Sequence, residues 1–208
     1  MRTKIFNGDF WLLALLFSLV PVSLVEANEW SESYQLEAEG KYSAAAAVLD
    51  SLLAQKPISE FGLLRRGWLN YSARNYNDSI SDYQHALTLN PNSLDARLGL
   101  TLPFMAQGRW REAALHAGKI LDIAPWQYYA HIRLMACEEA MMQWDVLEKH
   151  AKKVAERYPS DATIQVFLAR AHLNSGNRDL ALAAYARVTQ IVPNHMEATQ
   201  FIMATKAR

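Results

Sequence analysis

Along the chain, apolar residues recur at three- and four-residue intervals in one short block after another, and polar turn residues separate the blocks. Gln165 to Asn174 and Leu180 to Ile191 are two such blocks, joined by Ser175-Gly176-Asn177. That spacing belongs to amphipathic helices, and Ser-Gly-Asn is a turn signal, so the pair predicts two helices folded against each other.

The pair is one copy of a recurring unit. Five of the seven prolines, Pro57, Pro91, Pro125, Pro159 and Pro193, stand 34 residues apart. Fifteen residues before each proline come Tyr42, Tyr76, Trp110 and Trp144, then Arg178, which breaks the row. Twelve before come Ala45, Ser79, Ala113, Leu147 and Ala181, and five before come Leu52, Ala86, Ile120, Val154 and Val188. Seventeen before, Gly40, Gly108 and Gly176 alternate with Arg74 and Met142. A period of this size predicts stacked repeats, which act through the long surfaces that stacking creates. A small residue in the alanine row lets two helices approach, and the aromatic one turn earlier fills the wedge beside it. The proline cannot continue the second helix, so it opens the next connection. Pro103 lies off this lattice, inside a predicted helix and four residues after Gly99; its missing donor predicts a kink.

Gly67, Tyr76, Ser79, Tyr83, Ala86 and Pro91 resemble the tetratricopeptide repeat, a 34-residue helix-turn-helix unit, and so do Gly108, Trp110, Ala113 and Pro125. The resemblance covers about residues 28 to 193. It implies an all-α, right-handed superhelical solenoid of five repeats (28–59, 60–93, 94–127, 128–161 and 162–195) followed by a capping helix at 196–208. Arg66 departs from the family pattern where leucine is usual, Met135 where a small residue is preferred, and Arg178 where the turn aromatic belongs. The fourth repeat, with Met142 and Leu147, departs most.

The resemblance also implies that the first helix of each repeat lines a concave groove. Groove positions then run in rows: Trp30, Leu64, Leu98, Ile132, Val166; Tyr34, Trp68, Leu102, Ala136, Arg170; and Glu37, Tyr71, Met105, Glu139, Leu173. Phe61, Asp95 and Tyr129 stand at its entrance. Chaperone-binding members carry Lys and Asn in this groove to clamp a terminal carboxylate. Here it is apolar and aromatic, with charge only from Arg65, Arg133 and Arg170, so the clamp is disfavoured. Trp30, Tyr34, Trp68 and Tyr71 together mark an interaction hot spot for a protein or peptide partner.

Residues 1–27 read differently. Arg2 and Lys4 precede an apolar run from Phe10 to Val25, and Val25-Glu26-Ala27 offers small residues for cleavage. This predicts a signal peptide and export, to a bacterial periplasm. The alternative is an uncleaved membrane anchor, for which the run is short, since a span takes about 20 residues.

Charge adds little. The 21 basic and 21 acidic residues cancel, which argues against nucleic acid or an anionic membrane as partner. Residues 28–107 carry 6 basic and 9 acidic groups, net −3, and residues 108–208 carry 13 and 10, net +3; this reads as scatter over solvated helix faces, with head-to-tail association the alternative. Cys137 has no second cysteine to pair with and reads as a buried small apolar group.

No catalytic constellation emerges. Glu138 and Glu139 are adjacent, about 100° apart on a helix, and cannot share a proton. His116 and His150 lie one repeat apart and read as solvated surface residues, and the six histidines show no metal-ligand spacing. No phosphate loop or nucleophile elbow is present. Neither cofactor nor small-molecule substrate is expected. The sequence points to a non-enzymatic interaction module or scaffold of the cell envelope. The alternative is a structural protein that self-assembles through its solenoid ends into a homo-oligomer.

Overall fold

The computed structural model describes residues 22–55 and 58–207; the expectations for residues 1–21 and Pro57 fall outside them. Among the described residues every element is a helix. Five pairs follow one another: α1 (Val22–Ala38) with α2 (Tyr42–Ala54), α3 (Glu60–Ser72) with α4 (Tyr76–Leu89), and α5 (Leu94–Ala106) with α6 (Trp110–Ile123). Then come α7 (Tyr128–Ala140) with α8 (Trp144–Arg157), α9 (Ala162–Asn174) with α10 (Arg178–Ile191), and a closing α11 (Met196–Lys206). The chain is an all-α solenoid.

Both turns of the unit have a local cause. Between the helices of a pair, one residue takes the left-handed conformation: Gly40, Arg74, Gly108, Met142 and Gly176 have φ of 74°, 64°, 70°, 56° and 81°. The following amide then reaches back to the carbonyl five residues earlier, as Asn75 does to Asn70 at 2.8 Å and Gln143 to Glu138 at 2.9 Å. This closes the helix with a Schellman bond. Between pairs, Ser93, Gln127, Asp161 and His195 each donate their amide to the carbonyl three residues back, at 3.0–3.2 Å. Pro91, Pro125, Pro159 and Pro193 sit just after that accepting residue, the place in a β-turn where proline's fixed φ is preferred. The period of the prolines is therefore the period of a turn.

The repeat rows fill the core. Ala45, Ser79, Ala113, Leu147 and Ala181 are fully buried. Leu147 and Met135 are as enclosed as their smaller counterparts, but α7 and α8 approach each other less closely than the helices of the other four pairs, as larger side chains between them require. Tyr83 lies between α3 and α5, where a β-carbon on Gly99 would overlap its ring. Arg66, in place of leucine, is held in a partly buried ion pair with Asp82 (2.6 Å) and reaches Asp50 (2.7 Å). Arg178, in place of the turn aromatic, lays its guanidinium 5.2 Å from the Phe201 ring of α11.

The first helices of successive pairs touch (α3 with α5, α5 with α7, α7 with α9), and no comparable contact joins the second helices among the described residues. A stack closer on one side than the other must curve, so the first helices form the inner, concave face. Pro103 is buried within α5, which runs unbroken from Leu94 to Ala106. Among the described residues no helix is long and apolar enough to cross a membrane.

Candidate functional site

On the inner face α3, α7 and α9 each reach back to the first helix before them through an arginine. Arg65 on α3 places Nη1 2.9 Å from a Glu37 carboxylate oxygen on α1, and Nη2 donates to Ser33 Oγ at 3.4 Å. Its guanidinium stacks 3.5 Å over the Tyr34 ring. Trp68 Nε1 donates to the same Glu37 at 2.9 Å. On α7, Arg133 Nη1 donates to Thr101 Oγ1 of α5 at 3.0 Å. Arg170 on α9 pairs with Glu139 of α7 at 3.2 Å and Glu197 of α11 at 2.6 Å. The hydrogen bond from Arg170 holds the Glu197 carboxyl below its ordinary range.

Two of the three arginines expected to offer charge to a partner are therefore neutralised within the chain. Arg65 is buried against Glu37, and Arg170 is shared by two glutamates. A guanidinium taken from water needs a carboxylate nearby, and the previous first helix lies within reach of so long a side chain. Among the described residues no carboxylate pairs with Arg133, and burial lowers its pKa.

The aromatic candidates divide. Phe61 (56% exposed), Tyr129 (57%), Tyr34 (49%) and Trp68 (42%) stay open to solvent. Trp30 is half-buried against the α2–α3 core, its ring 5.2 Å from Phe61. Tyr71 is half-buried between Trp68 and Tyr76, at 5.8 and 6.0 Å, and Met105 packs on the core beneath α5. The bare patch expected of Trp30, Tyr34, Trp68 and Tyr71 is thus half wall and half surface.

The histidines overturn their expectation. His150 is not solvated: Nδ1 lies 2.9 Å from Glu138, and Nε2 lies 2.9 Å from His131 Nδ1. His131 Nε2 lies 3.0 Å from the Pro125 carbonyl. A carbonyl only accepts, so His131 keeps its proton on Nε2 and presents Nδ1 as acceptor to His150. His116 is half-buried too, 5.7 Å from the Phe104 ring, and burial pushes its pKa down to about 4. The sequence did hold a signal. His150 and Glu138 are 12 residues apart, as are Ser33 and Ala45, Asn70 and Asp82, and Ser79 and Gly67, which also bond across a pair.

Glu138 turns to α8 and Glu139 to α9, as adjacent helical positions require. Cys137 is buried, and burial pushes its thiol up to about 11, away from reactivity. Among the described residues no three ligating side chains gather for a metal.

The profile of the tetratricopeptide repeat family matches residues 64–126 and 148–195. Among solved structures, residues 41 to the end of MamA from Desulfovibrio magneticus RS-1 superpose with a TM-score of 0.74 at 13% identity, over 83% of this chain and 97% of that one. TTC0263 of Thermus thermophilus, a thermophilic tetratricopeptide protein, gives 0.61 at 18% identity over 88% and 100%. YrrB, described as having an unusual peptide-binding site, gives 0.71 at 16% identity over 86% and 95%. At these identities the likeness is one of fold. No curated protein matches the sequence.

Proposed function

Because this chain belongs to the tetratricopeptide repeat family, we propose that it is a non-enzymatic interaction module of the bacterial cell envelope, whose concave face holds a segment of a partner protein. The observation that carries this is the set of four open rings, Tyr34, Phe61, Trp68 and Tyr129, on or beside the inner face of one solenoid. Ring surface of this kind gains free energy when a partner's apolar side chains remove it from water. The peptide-binding site described for YrrB, a protein of similar fold, supports the same use. Export is proposed from the basic start and apolar run at Phe10 to Val25, with processing after Ala27. That cleavage would fall inside α1 and leave Asn28–Ala38 of it.

Replacing Tyr34 and Trp68 together by alanine should abolish capture of the partner from envelope extracts while helix content stays the same. Both side chains stand on the surface and neither fills the core. Because apolar contact supplies most of the affinity, about 0.5 M salt, which screens exposed charges beyond a few ångströms, should weaken capture only modestly. Normal capture by the double variant, or complete loss in salt, would show the aromatic groove to be the wrong site.

One observation favours a second reading, self-assembly through the solenoid end. Met196 and Met203 of α11 are 73% and 65% exposed, whereas the terminal element of a repeat stack needs a polar outer face. Particle size that grows with protein concentration in light scattering would mark it.

A further inference from the structure

On the reading of the inner face as a partner groove, the repeat supplies its own control for what that partner carries. Arg65 and Arg133 occupy the same place in the unit, two repeats apart. Their surroundings differ at one decisive position. Arg65 faces Ser33 and Glu37 of α1, and the equivalent residues before Arg133 are Thr101 and Met105 of α5. The hydroxyl contact is kept: Ser33 Oγ accepts from Arg65 at 3.4 Å, and Thr101 Oγ1 from Arg133 at 3.0 Å. The carboxylate is not. Glu37 stands 2.9 Å from Arg65, and a thioether holds its place in the unit of Arg133. Among the described residues no carboxylate pairs with Arg133.

The result is a half-buried arginine on the concave face, bonded to Thr101 and with no carboxylate paired to it among the described residues. A cation in that state has lost water without gaining a partner, so it favours any anion that arrives. We propose that Arg133 receives an aspartate or glutamate side chain from within the bound partner segment, and that this carboxylate takes the place that Glu37 fills beside Arg65. An internal residue fits better than a chain end. Apolar groove positions continue on both sides of Arg133, with Trp68 and Tyr71 towards α1 and Leu173 towards α11, so a segment lying across them runs past the arginine. The partner motif is therefore one acidic residue set between apolar ones.

The test uses a phage-displayed library of random peptides held between fixed flanks, selected on the mature chain and on Arg133→Gln and Met105→Glu. The second variant supplies in the chain itself the carboxylate that Glu37 gives Arg65; its circular-dichroism melting curve checks that it folds. Wild type should select sequences with an acidic residue at one position between apolar residues, and both variants should lose that preference. A selected peptide, synthesised with blocked ends, should bind about tenfold or more weakly once its acid is changed to the amide, since a charge-assisted hydrogen bond is lost. Arg133→Gln should bind acid and amide forms alike. Selection of purely apolar peptides that are lost on Tyr34→Ala with Trp68→Ala would overturn this inference and leave the groove standing. Selection of no peptide would overturn both. Equal affinity of acid and amide forms for wild type, or full affinity restored by a free terminal carboxylate alone, would also overturn it.

Discussion

Arg74 and Met142 hold the left-handed turn position that three other repeats give to glycine, with φ of 64° and 56°. Such a backbone costs a side-chain-bearing residue roughly 1–2 kcal/mol, and the Schellman bonds to Asn70 and Glu138 hold it in place. Buried histidines give a second residue-scale consequence. His116 titrates near 6.5 when exposed and is pushed down to about 4 by burial. Burial lowers His131 as well, with repulsion from His150 and Lys153 adding to it. The unfolded chain therefore takes up these protons as pH falls through about 6.5, while the folded chain resists until lower pH. Stability is fully present above that point and should be lost as pH falls towards about 4. The urea midpoint should drop across this window, and His116→Phe should make the drop shallower. A midpoint independent of pH there would contradict a neutral, half-buried His116.

Single elements follow the same period with different chemistry. α3, α5, α7, α9 and α11 begin at side-chain caps from Ser59, Ser93, Gln127, Asp161 and His195, each accepting from the amide three residues on. Serine, glutamine, aspartate and histidine can all do this because the turn brings a side-chain acceptor to the same place at the helix start. α11 starts 34 residues after α9, so it stands in the register of a first helix. Its own Ala198 is buried, and Phe201 and Ile202 pack on Tyr185, Val188 and their neighbours. Deleting residues 196–208 should lower Tm by roughly 5–10 °C, from the apolar burial lost, and should promote aggregation by baring that flank. An unchanged melting curve would show that α11 does not cover it.

For the whole molecule, the curve of the stack decides what a partner can meet. The closer approach of the first helices gathers Tyr34, Trp68 and Arg133 onto one inner face, although they span nearly three repeats. Export belongs to this scale as well. If the N-terminal segment is a signal peptide, protein isolated from the exported fraction begins at Asn28 when its N-terminus is sequenced. An intact Met1 in membranes that resist carbonate washing would replace processing with anchoring.

The repeat pattern by itself determined the fold, because every row of the 34-residue lattice corresponds to one physical task. Alanine-row residues permit close approach, the glycine row turns the chain, and the proline row starts the next turn. Those tasks are local, so they are written locally. Which polar groups face one another was not legible in the same way, since it depends on contacts between units. The tertiary structure alone decided that Glu37 neutralises Arg65 and that Glu139 and Glu197 share Arg170, whereas His150 meets Glu138 inside one unit, at a 12-residue spacing other repeats also use. It also decided which aromatic rings are wall and which are surface: Trp30 closes against the core and Tyr34 does not. Among the described residues Arg133 meets no carboxylate for the same reason, because Met105 stands where Glu37 stands for Arg65 and the pairing of charges across a stack is set by what the neighbouring repeat presents.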